Sequence, residues 1–358
     1  MKIKLTILLI SICLLFSSCS FSFGYINVTT GQSIKITDES TVAQTTQPQT
    51  TQIITTPEIT TEQITTPEIT TATTVITTET VPPQSSEFET ELVDFDKVQA
   101  ESAFVYNLTD DELLAIKGQD KVLLPASITK LLSIQYALTI APTTLEITPQ
   151  GSELALVGSG SSIAYIKTHH RLTVAQLIKG MMLPSGNDAA YALAAGVARY
   201  ELNHPNLDGN DAVKHFVRGI NEYAQSLGCT NTFFTVPDGL AGDEHYTSLH
   251  DLIIIGKNAM KCDLITEYSR IVSERVKYAS GHFMTWNNTN RLINPEDTYY
   301  SPYVTGLKTG SLNDNYCLYI SADINDTTYL IGIFKSPTKT SRYDDAHIII
   351  DSILDLNK

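Results

Sequence analysis

The chain has 358 residues and a formal net charge of −15, and 42% of its residues are hydrophobic. A chain this acidic is repelled by phosphate backbones, which argues against nucleic-acid binding, and its hydrophobic content excludes global disorder. The five cysteines include no C-x-x-C pair, which excludes a zinc ribbon and a disulfide-dense scaffold.

Residues 1–19 have the pattern of a secretory signal. Lys2 and Lys4 precede an apolar run from Leu5 to Phe16, and two serines lead to Cys19. The run is too short to span a bilayer comfortably, since about 20 residues are needed. Cys19 resembles the lipobox cysteine of bacterial lipoproteins, although Phe16 stands where that motif usually has Leu. Lipidation of Cys19 is the favoured prediction, and ordinary signal cleavage nearby is the alternative.

Residues 20–100 are predicted to be a Thr/Pro-rich disordered linker. Between Thr41 and Thr80, 18 of 40 residues are Thr, and one octapeptide occurs twice, at 54–61 and 64–71. The prolines interrupt any strand ladder, and the Ile spacing gives no heptad. This composition is typical of an extended stalk, which can be O-glycosylated, and a disordered spacer of no particular length is an equal alternative.

Residues 101–358 are predicted to form a single catalytic domain of the α+β class. Two strand pairs are expected near its ends, Ala103–Tyr106 with Leu113–Ile116 and Tyr316–Ala322 with Thr328–Phe334. Helices are expected over residues 128–140, 173–182, 188–200 and 344–357. Strands at both ends with helices between them favour a layered fold over a series of βαβ units.

Three short motifs occur in this domain: Ser127-Ile-Thr-Lys130, Ser185-Gly-Asn187 and Lys308-Thr-Gly310. A lysine three residues after a serine lies on the same helix face, so its amine can reach the hydroxyl. A serine needs an adjacent base to act as a nucleophile, and a lysine serves only when neutral. Burial or a second cation, for which Lys308 is a candidate, would lower the pKa of Lys130. The strand edge ending at Gly310 is expected to offer an N–H group for an oxyanion hole.

The same motif set occurs in class A β-lactamases and penicillin-binding proteins. The surrounding sequence resembles the serine D-alanyl-D-alanine carboxypeptidases, the low-molecular-mass penicillin-binding proteins, from about Ala103 to Leu356. Gly186 stands where β-lactamases have Asp. The segments that carry the resemblance are Leu124–Leu131, Arg171–Val174, Leu183–Ala190, Asn221–Gly228, Thr232–Phe234, Asp238–Leu240, His245–Leu252, Thr289–Leu292 and Gly306–Gly310.

This resemblance implies a β-lactamase/transpeptidase-like fold, with an antiparallel sheet flanked by helices and a helical subdomain that carries the S-x-N loop. It implies that Ser127 attacks the D-Ala-D-Ala peptide carbonyl of peptidoglycan stem peptides and forms an acyl-enzyme, with Lys130 as its base. Ser185 and Asn187 would relay protons and hold the substrate amide, and Lys308 and Thr309 would receive the terminal carboxylate. The backbone N–H groups of Ser127 and of Ser311, which follows Gly310, would form the oxyanion hole. No cofactor and no metal is predicted.

The resemblance also implies that β-lactams inhibit the protein covalently and that it works outside the cytoplasm, secreted or anchored in the membrane at its N-terminus. Two departures from the family pattern stand out. The segment Ser311–Tyr316 after the third motif is one residue shorter than usual, which bears on specificity, and residues 167–170 read Lys-Thr-His-His where Gly is common. Because the sequence ends at Lys358, the C-terminal β-rich domain and membrane helix frequent in the family are expected to be absent.

Four alternatives stay open at this stage. The same fold could serve a D,D-endopeptidase, or a β-lactamase that uses Glu222, which is more simply a solvated residue on an amphipathic helix. A metal-dependent peptidase is disfavoured because there is no H-E-x-x-H, Asp243 and His245 lack further ligands, and His169 and His170 are expected to point apart at the surface. The domain could also be an inactive wall-binding module on a stalk.

Overall fold

A five-stranded antiparallel sheet forms the centre of the computed structural model, which describes residues 92–242 and 244–356. The strands lie in the order β2-β1-β9-β8-β7, so β7 is an edge strand. Both predicted hairpins are confirmed, and β1 pairs with β9, which joins the two ends of the domain. The strands are β1 Ser102–Asn107, β2 Glu112–Lys117, β7 Val304–Leu312, β8 Asn315–Ile324 and β9 Thr327–Ser336.

The sheet is buried on both faces, because alternate side chains of its strands enter two separate hydrophobic clusters. Phe104, Tyr319 and Phe334 belong to one cluster, whereas their neighbours in the same strands, such as Val105 and Ile320, belong to the other. The strands therefore read as nearly continuous apolar runs, which explains why they stand out in the sequence.

Helices cover each face of the sheet. Helix α6 (Leu249–Ala259) packs against the first face, where a Cβ on its Gly256 would lie 1.7 Å from the Tyr319 hydroxyl, and that hydroxyl donates to the Leu252 carbonyl at 2.8 Å. On the other face, α8 (Ser341–Leu356) contributes Tyr343, Ala346, Ile349 and Ile350 to the second cluster. The predicted final helix is confirmed and begins three residues earlier than expected.

The remaining helices form a subdomain around α4 (Asn187–Glu201), which is buried over most of its length. Six of its residues are Ala, and small side chains let the neighbouring elements approach closely on every side. The S-x-N motif lies in this subdomain, as predicted, and its Asn187 is the first residue of α4. The other elements are α1 Thr129–Ile140, α2 Gly151–Leu154, α3 Val174–Met182, α5 Gly209–Ser226, α7 Asp263–Ser269, and the strand pairs β3 Glu146–Ile147 with β4 Leu172–Thr173 and β5 Ser273–Lys277 with β6 Phe283–Asn287.

The end of the predicted linker is packed against the domain. Val93, Val98 and Ala100 are buried in the second cluster, and the N–H groups of Gln99 and Ala100 donate to the Asp345 carboxylate at 2.7 and 2.9 Å. The packed part therefore begins before the predicted boundary at residue 101. The signal segment with Cys19, the rest of the linker and Asp243 lie outside the described residues.

Two further observations concern membrane and redox chemistry. Within residues 92–242 and 244–356, no helix has the length and apolar character needed to cross a membrane.

The three cysteines in this part, Cys229, Cys262 and Cys317, are all free thiols. Cys229 and Cys317 are buried, and Cys317 lies on β8.

Candidate active site

Ser127 and Lys130 meet at the start of α1. Ser127 lies in a 3-10 turn, Ala126–Ile128, that leads directly into the helix, so its hydroxyl is half-exposed while Lys130 is fully buried one turn later. The Lys130 Nζ lies 2.8 Å from the Ser127 Oγ. Ala126 has a φ of 51°, a conformation rare for residues with a Cβ and typical of functional turns. The predicted nucleophile–base pair is therefore at hydrogen-bond distance.

Burial is what prepares Lys130 to act as a base. It lowers the pKa of Lys130 to about 8, while the carboxylates of Asp238 and Asp188 act in the opposite direction. The positive charge of Lys130 lowers the pKa of Lys308, and repulsion between two cations is mutual, so the expectation that Lys308 depresses the pKa of Lys130 stays a prediction. Among the described residues, no carboxylate oxygen is bonded to the amine directly, and desolvation is the largest influence on its pKa.

The other partners of Lys130 orient its lone pair. Its Nζ donates to the Asn187 Oδ1 at 2.7 Å and to the Asp238 carbonyl at 2.8 Å. When Lys130 is neutral, two N–H groups satisfy these two acceptors and the lone pair is left for the Ser127 hydroxyl. The amine can then take the proton of Ser127 without moving.

A second serine–lysine pair faces the first. Ser185 lies in the turn between α3 and α4 with a φ of 60°, and its Oγ accepts a hydrogen bond from the Lys308 Nζ at 2.8 Å. Burial holds the pKa of Lys308 well below its usual range, and the nearby positive charges of Lys130 and Arg342 lower it further. A lysine with a lowered pKa gives up its proton more readily, so Lys308 can resupply the Ser185 hydroxyl when that hydroxyl passes its own proton on.

Strand β7 forms one wall of the site. The Thr309 Oγ1 lies 2.6 Å from the Thr289 Oγ1, which holds Thr309 in place. A Cβ on Gly310 would lie 3.0 Å from the Pro125 carbonyl, so glycine is the residue that lets β7 lie closely against the turn carrying the nucleophile. The next residue, Ser311, is exposed.

The strand does not end at Gly310, as the sequence predicted, but at Leu312. Leu312 pairs with Asn315 across a two-residue turn, Asn313–Asp314. Asn313 takes a φ of 51°, which asparagine tolerates better than most residues. The missing residue of the family pattern thus corresponds to a tight hairpin, and the Asn315 Nδ2 ties it to the Leu124 carbonyl at 2.8 Å.

Arg342 is a site residue that sequence reasoning missed. It lies near the start of α8 and is buried, and its guanidinium donates to the carbonyls of Gly310 and Cys317 at 2.8 and 3.1 Å and to the Ser311 Oγ at 3.2 Å. It therefore brings a permanent positive charge to the β7 wall. A single arginine in a polar helical turn, 31 residues after Ser311, carries no local signal of this role.

Asp188 lies in the segment Leu183–Ala190, where the sequence indicates no role for it. Its buried carboxylate accepts hydrogen bonds from the N–H groups of Ala164 and Ile166 at 2.7 and 2.8 Å. These bonds fix the segment before β4 against the first turn of α4, next to Asn187. Asp188 therefore positions the S-x-N loop.

The residues that supported the rival interpretations lie elsewhere. Glu222 is exposed on α5, as its helical pattern indicated. His245 is buried with both ring nitrogens engaged, one 2.8 Å from the Thr129 Oγ1 and the other accepting from the Thr235 N–H at 3.0 Å. Burial lowers its pKa to about 3, so it is a neutral structural residue under α1.

The family model described as D-alanyl-D-alanine carboxypeptidase matches residues 89–336. A D-alanyl-D-alanine carboxypeptidase, DacF, of Bacillus subtilis is 29% identical over 248 residues, which cover 68% of this chain and 59% of the relative. The DacA enzyme of Haemophilus influenzae is 29% identical over 262 residues and is also covered to 59%. The chain thus spans about six-tenths of the length of these relatives.

Solved structures agree with the sequence matches. The DD-transpeptidase of Streptomyces K15 is 27% identical with a TM-score of 0.64, and the match covers 72% of this chain and 98% of that one. Penicillin-binding protein D2 of Listeria monocytogenes, solved in its ampicillin-bound form, is 22% identical with a TM-score of 0.58 over the same 72% of this chain and 98% of that chain. These likenesses confirm the predicted transpeptidase-like fold.

Proposed function

Because the chain belongs to the D-alanyl-D-alanine carboxypeptidase family, we propose that it is a serine D,D-carboxypeptidase that removes the terminal D-Ala from peptidoglycan stem peptides. One observation carries the proposal. Two buried lysines each lie 2.8 Å from a serine hydroxyl, Lys130 from Ser127 and Lys308 from Ser185, in one continuous site. A module that only binds the cell wall has no need of either pair, which argues against the inactive alternative.

The first half of the reaction begins at Ser127. Neutral Lys130 takes the hydroxyl proton as the Oγ attacks the carbonyl between the two D-alanines, and the backbone N–H groups of Ser127 and Ser311 stabilise the oxyanion. Ser185, supplied with a proton by Lys308, protonates the leaving D-Ala amine. Lys308, Thr309 and Arg342 attract the terminal carboxylate of the substrate.

The second half is transfer of the acyl group from Ser127 to an acceptor. Once the proton that Lys130 took from Ser127 has passed to the deprotonated Lys308, neutral Lys130 takes the proton of the acceptor and returns it to the departing Ser127 Oγ. Water as the acceptor gives hydrolysis, and a primary amine gives transpeptidation. The amine route is a second candidate because the Streptomyces K15 structure is named a DD-transpeptidase. A cross-link endopeptidase would use the same steps with a longer leaving group.

The defining experiment measures D-alanine release from a diacyl-Lys-D-Ala-D-Ala peptide by the full chain. Ser127→Ala is the test variant, and Ser352→Ala is its matched control, since Ser352 only bonds the Ile348 carbonyl on α8. We expect release by wild type and control and none above background by Ser127→Ala. Release by Ser127→Ala equal to wild type would overturn the assignment.

Two additions to this assay separate the remaining activities. A labelled penicillin should form a stable adduct on Ser127, and a turnover of penicillin as fast as that of the peptide would indicate a β-lactamase instead. Added amino acids should not divert the acyl group from water. A folded protein that binds penicillin but releases D-alanine only from cross-linked muropeptides would be an endopeptidase.

We also propose that Cys19 is lipidated and holds the enzyme on the outer side of the cytoplasmic membrane, with residues 20–91 as the tether. The support is the basic, apolar and small-residue order of residues 1–19. Incorporation of an alkyne-labelled fatty acid should be lost in Cys19→Ala and kept in Cys13→Ala, because Cys13 lies inside the apolar run. Secretion of unlabelled wild-type protein would contradict lipidation.

A further inference from the structure

Three histidines from two separate parts of the chain converge beside the β5–β6 hairpin. His169 and His170 lie in the turn before β4, and His282 follows the hairpin turn. Their ring centroids lie 4.5, 4.7 and 5.2 Å apart, and one nitrogen from each ring lies within 4.8 Å of the other two. The expectation that His169 and His170 point apart at the surface is wrong, because His170 is buried and its ring contacts that of His169.

We propose that His169, His170 and His282 bind one divalent transition-metal ion of the Zn²⁺ type. Imidazole nitrogens are ligands that Zn²⁺, Cu²⁺ and Ni²⁺ prefer, whereas Mg²⁺ and Ca²⁺ prefer oxygen. Nitrogens bound to Zn²⁺ at about 2.0–2.1 Å in a tetrahedral site lie roughly 3.4 Å apart. Three nitrogens within 4.8 Å of one another reach that spacing by small side-chain rotations.

His282 is already oriented as a ligand. Its Nδ1 lies 3.1 Å from the Ser280 Oγ, and this hydroxyl accepts a hydrogen bond from the Arg171 N–H at 3.1 Å. When Nδ1 carries the proton and donates to Ser280, Nε2 is left with the lone pair that a metal ion can bind. A hydrogen bond to the far nitrogen of the ring is the usual support for a metal-bound histidine.

The hairpin turn places this ring. The Tyr278 N–H donates to the His282 carbonyl at 2.8 Å, and Gly281 takes a φ of 86° between them. Glycine adopts this conformation without strain, so the turn is tight and His282 stands at a defined position opposite the 167–170 turn.

His170 is the buried member of the group and sits edge-on against the Tyr278 ring. Its Nδ1 accepts a hydrogen bond from the Lys167 N–H at 3.2 Å, and either ring nitrogen becomes a metal ligand only when this bond is given up. A single bond of this length is weak compared with a metal–nitrogen bond, so the exchange favours the metal.

The three rings are not committed to acidic partners. Among the described residues, no carboxylate forms an ion pair with any of them, so no anionic side chain has to leave before a metal ion binds.

The site would link two segments that border the S-x-N loop. From His170 the chain leads back to Ile166 and Ala164, whose N–H groups bind Asp188, and the Ala164 carbonyl accepts from the Trp286 indole of β6 at 3.0 Å. A metal bound by His170 and His282 would add a second connection between this segment and the hairpin. Its role is structural, since none of the three histidines contacts the serine–lysine pairs.

The experiment uses the full chain without a histidine tag, stripped with EDTA, and ZnCl₂ as the probe. The variants are His169→Ala and His282→Ala, both exposed positions that should leave the core intact, and the matched control is His204→Gln, an exposed histidine outside the cluster. All three cysteines of the described part stay unchanged, so binding to thiols would be equal in every variant.

We expect one Zn²⁺ per wild-type chain by calorimetric titration and a rise of at least about 3 °C in the melting midpoint at saturating zinc. Each histidine variant should weaken binding at least tenfold and abolish the rise, while His204→Gln behaves as wild type and MgCl₂ has no effect. Bound Co²⁺ should give the visible absorption of a tetrahedral site in wild type and in His204→Gln, but not in His169→Ala or His282→Ala. No stoichiometric binding by wild type, or equal binding by His282→Ala and wild type, would overturn the proposal.

Discussion

The two ends of α4 bury charge in opposite ways. At its C-terminal end, Arg199 donates to both carboxylate oxygens of Glu153 at 2.8 and 2.9 Å, and neither side chain is more than 7% exposed. At its N-terminal end, Asn187 belongs to a site where Lys130 and Lys308 are also buried but bond only hydroxyl, amide and carbonyl oxygens.

The difference explains which group can exchange protons. Although burial alone would raise the pKa of Glu153, hydrogen bonds from Arg199 and from the Gln150 backbone bring it below its usual value, so that pair stays ionised. The lysines have no such partner in contact, and burial lowers the pKa of both. A buried charge that is paired with an opposite charge stays ionised and supports the structure. A buried amine without such a partner can gain and lose a proton and so can act as an acid or a base.

The largest expected effect comes from replacing Lys130, a buried amine with no carboxylate bonded to it among the described residues. Lys130→Met should reduce the rate at which a labelled penicillin acylates Ser127 by about 10³-fold or more, because the hydroxyl loses its base. The free energy of unfolding should fall by no more than about 1 kcal/mol, since release of a desolvated cation offsets its lost hydrogen bonds. Stopped-flow acylation and urea unfolding of the same sample measure the two effects. A variant that is destabilised by several kcal/mol would show that Lys130 is structural as well.

Replacing Arg199, which is paired with Glu153, should lower the stability and leave the rate of acylation almost unchanged. Arg199→Met leaves the Glu153 carboxylate buried without its partner, which should cost about 3–5 kcal/mol in urea unfolding. The rate of penicillin acylation by the folded fraction should stay within about threefold of wild type, because Arg199 lies at the far end of α4. The double variant Arg199→Met with Glu153→Leu should recover most of the stability. Failure of the double variant to recover would mean that Arg199 acts through packing and not through charge.

The sequence predicts contacts within one helical turn better than contacts between distant parts of the chain. The helix start and the three-residue spacing predict the contact between Ser127 and Lys130, because both are set within one helical turn. The strands and helices of the domain are predicted well for a similar reason, since apolar periods of 2 and 3.6 residues are local patterns.

Apart from the meeting of the three motifs, which the family resemblance implies, several contacts made across the fold have no signal in the sequence. The Asp238 carbonyl that orients Lys130 is 108 residues away and belongs to the backbone, so no side-chain pattern indicates it. Arg342 reaches the β7 wall only because α8 packs on the sheet beside it. His282 meets His169 and His170 only because the β5–β6 hairpin folds back over more than 100 residues of chain. Burial, which sets the pKa of Lys130, is likewise a property of the assembled domain.

The pH dependence of acylation sharpens the role of burial. Lys130 acts as a base only when neutral, so the rate should rise about tenfold per pH unit below its pKa of about 8 and level off above it. An exposed lysine, with a pKa near 10.5, would keep the rate rising through pH 9 and 10. Acylation of Ser127 by a labelled penicillin, measured from pH 6 to pH 10, distinguishes the two. A rate that still rises tenfold between pH 9 and pH 10 would show that burial does not set the pKa of the base.

The smallest expected effect isolates burial from geometry. A second Arg–Glu pair, Arg171 with Glu146, has the same 2.8 Å separation as Arg199 with Glu153, but its side chains are 53% and 47% exposed. Water solvates both charges there, so Glu146→Gln should change the free energy of unfolding by less than about 1 kcal/mol. Glu153→Gln should cost several times more, because it leaves a buried guanidinium without its counter-charge.

Salt provides the control for this pair of variants. At about 1 M NaCl the Debye length falls to roughly 3 Å, so whatever Glu146 contributes should vanish, while the cost of Glu153→Gln should persist. Urea unfolding at low and high salt measures all four values. Equal losses of unfolding free energy in the two variants at high salt would mean that burial does not determine how strongly either ion pair stabilises the fold. The contrast between the Arg199–Glu153 pair and the buried lysines would then have no basis.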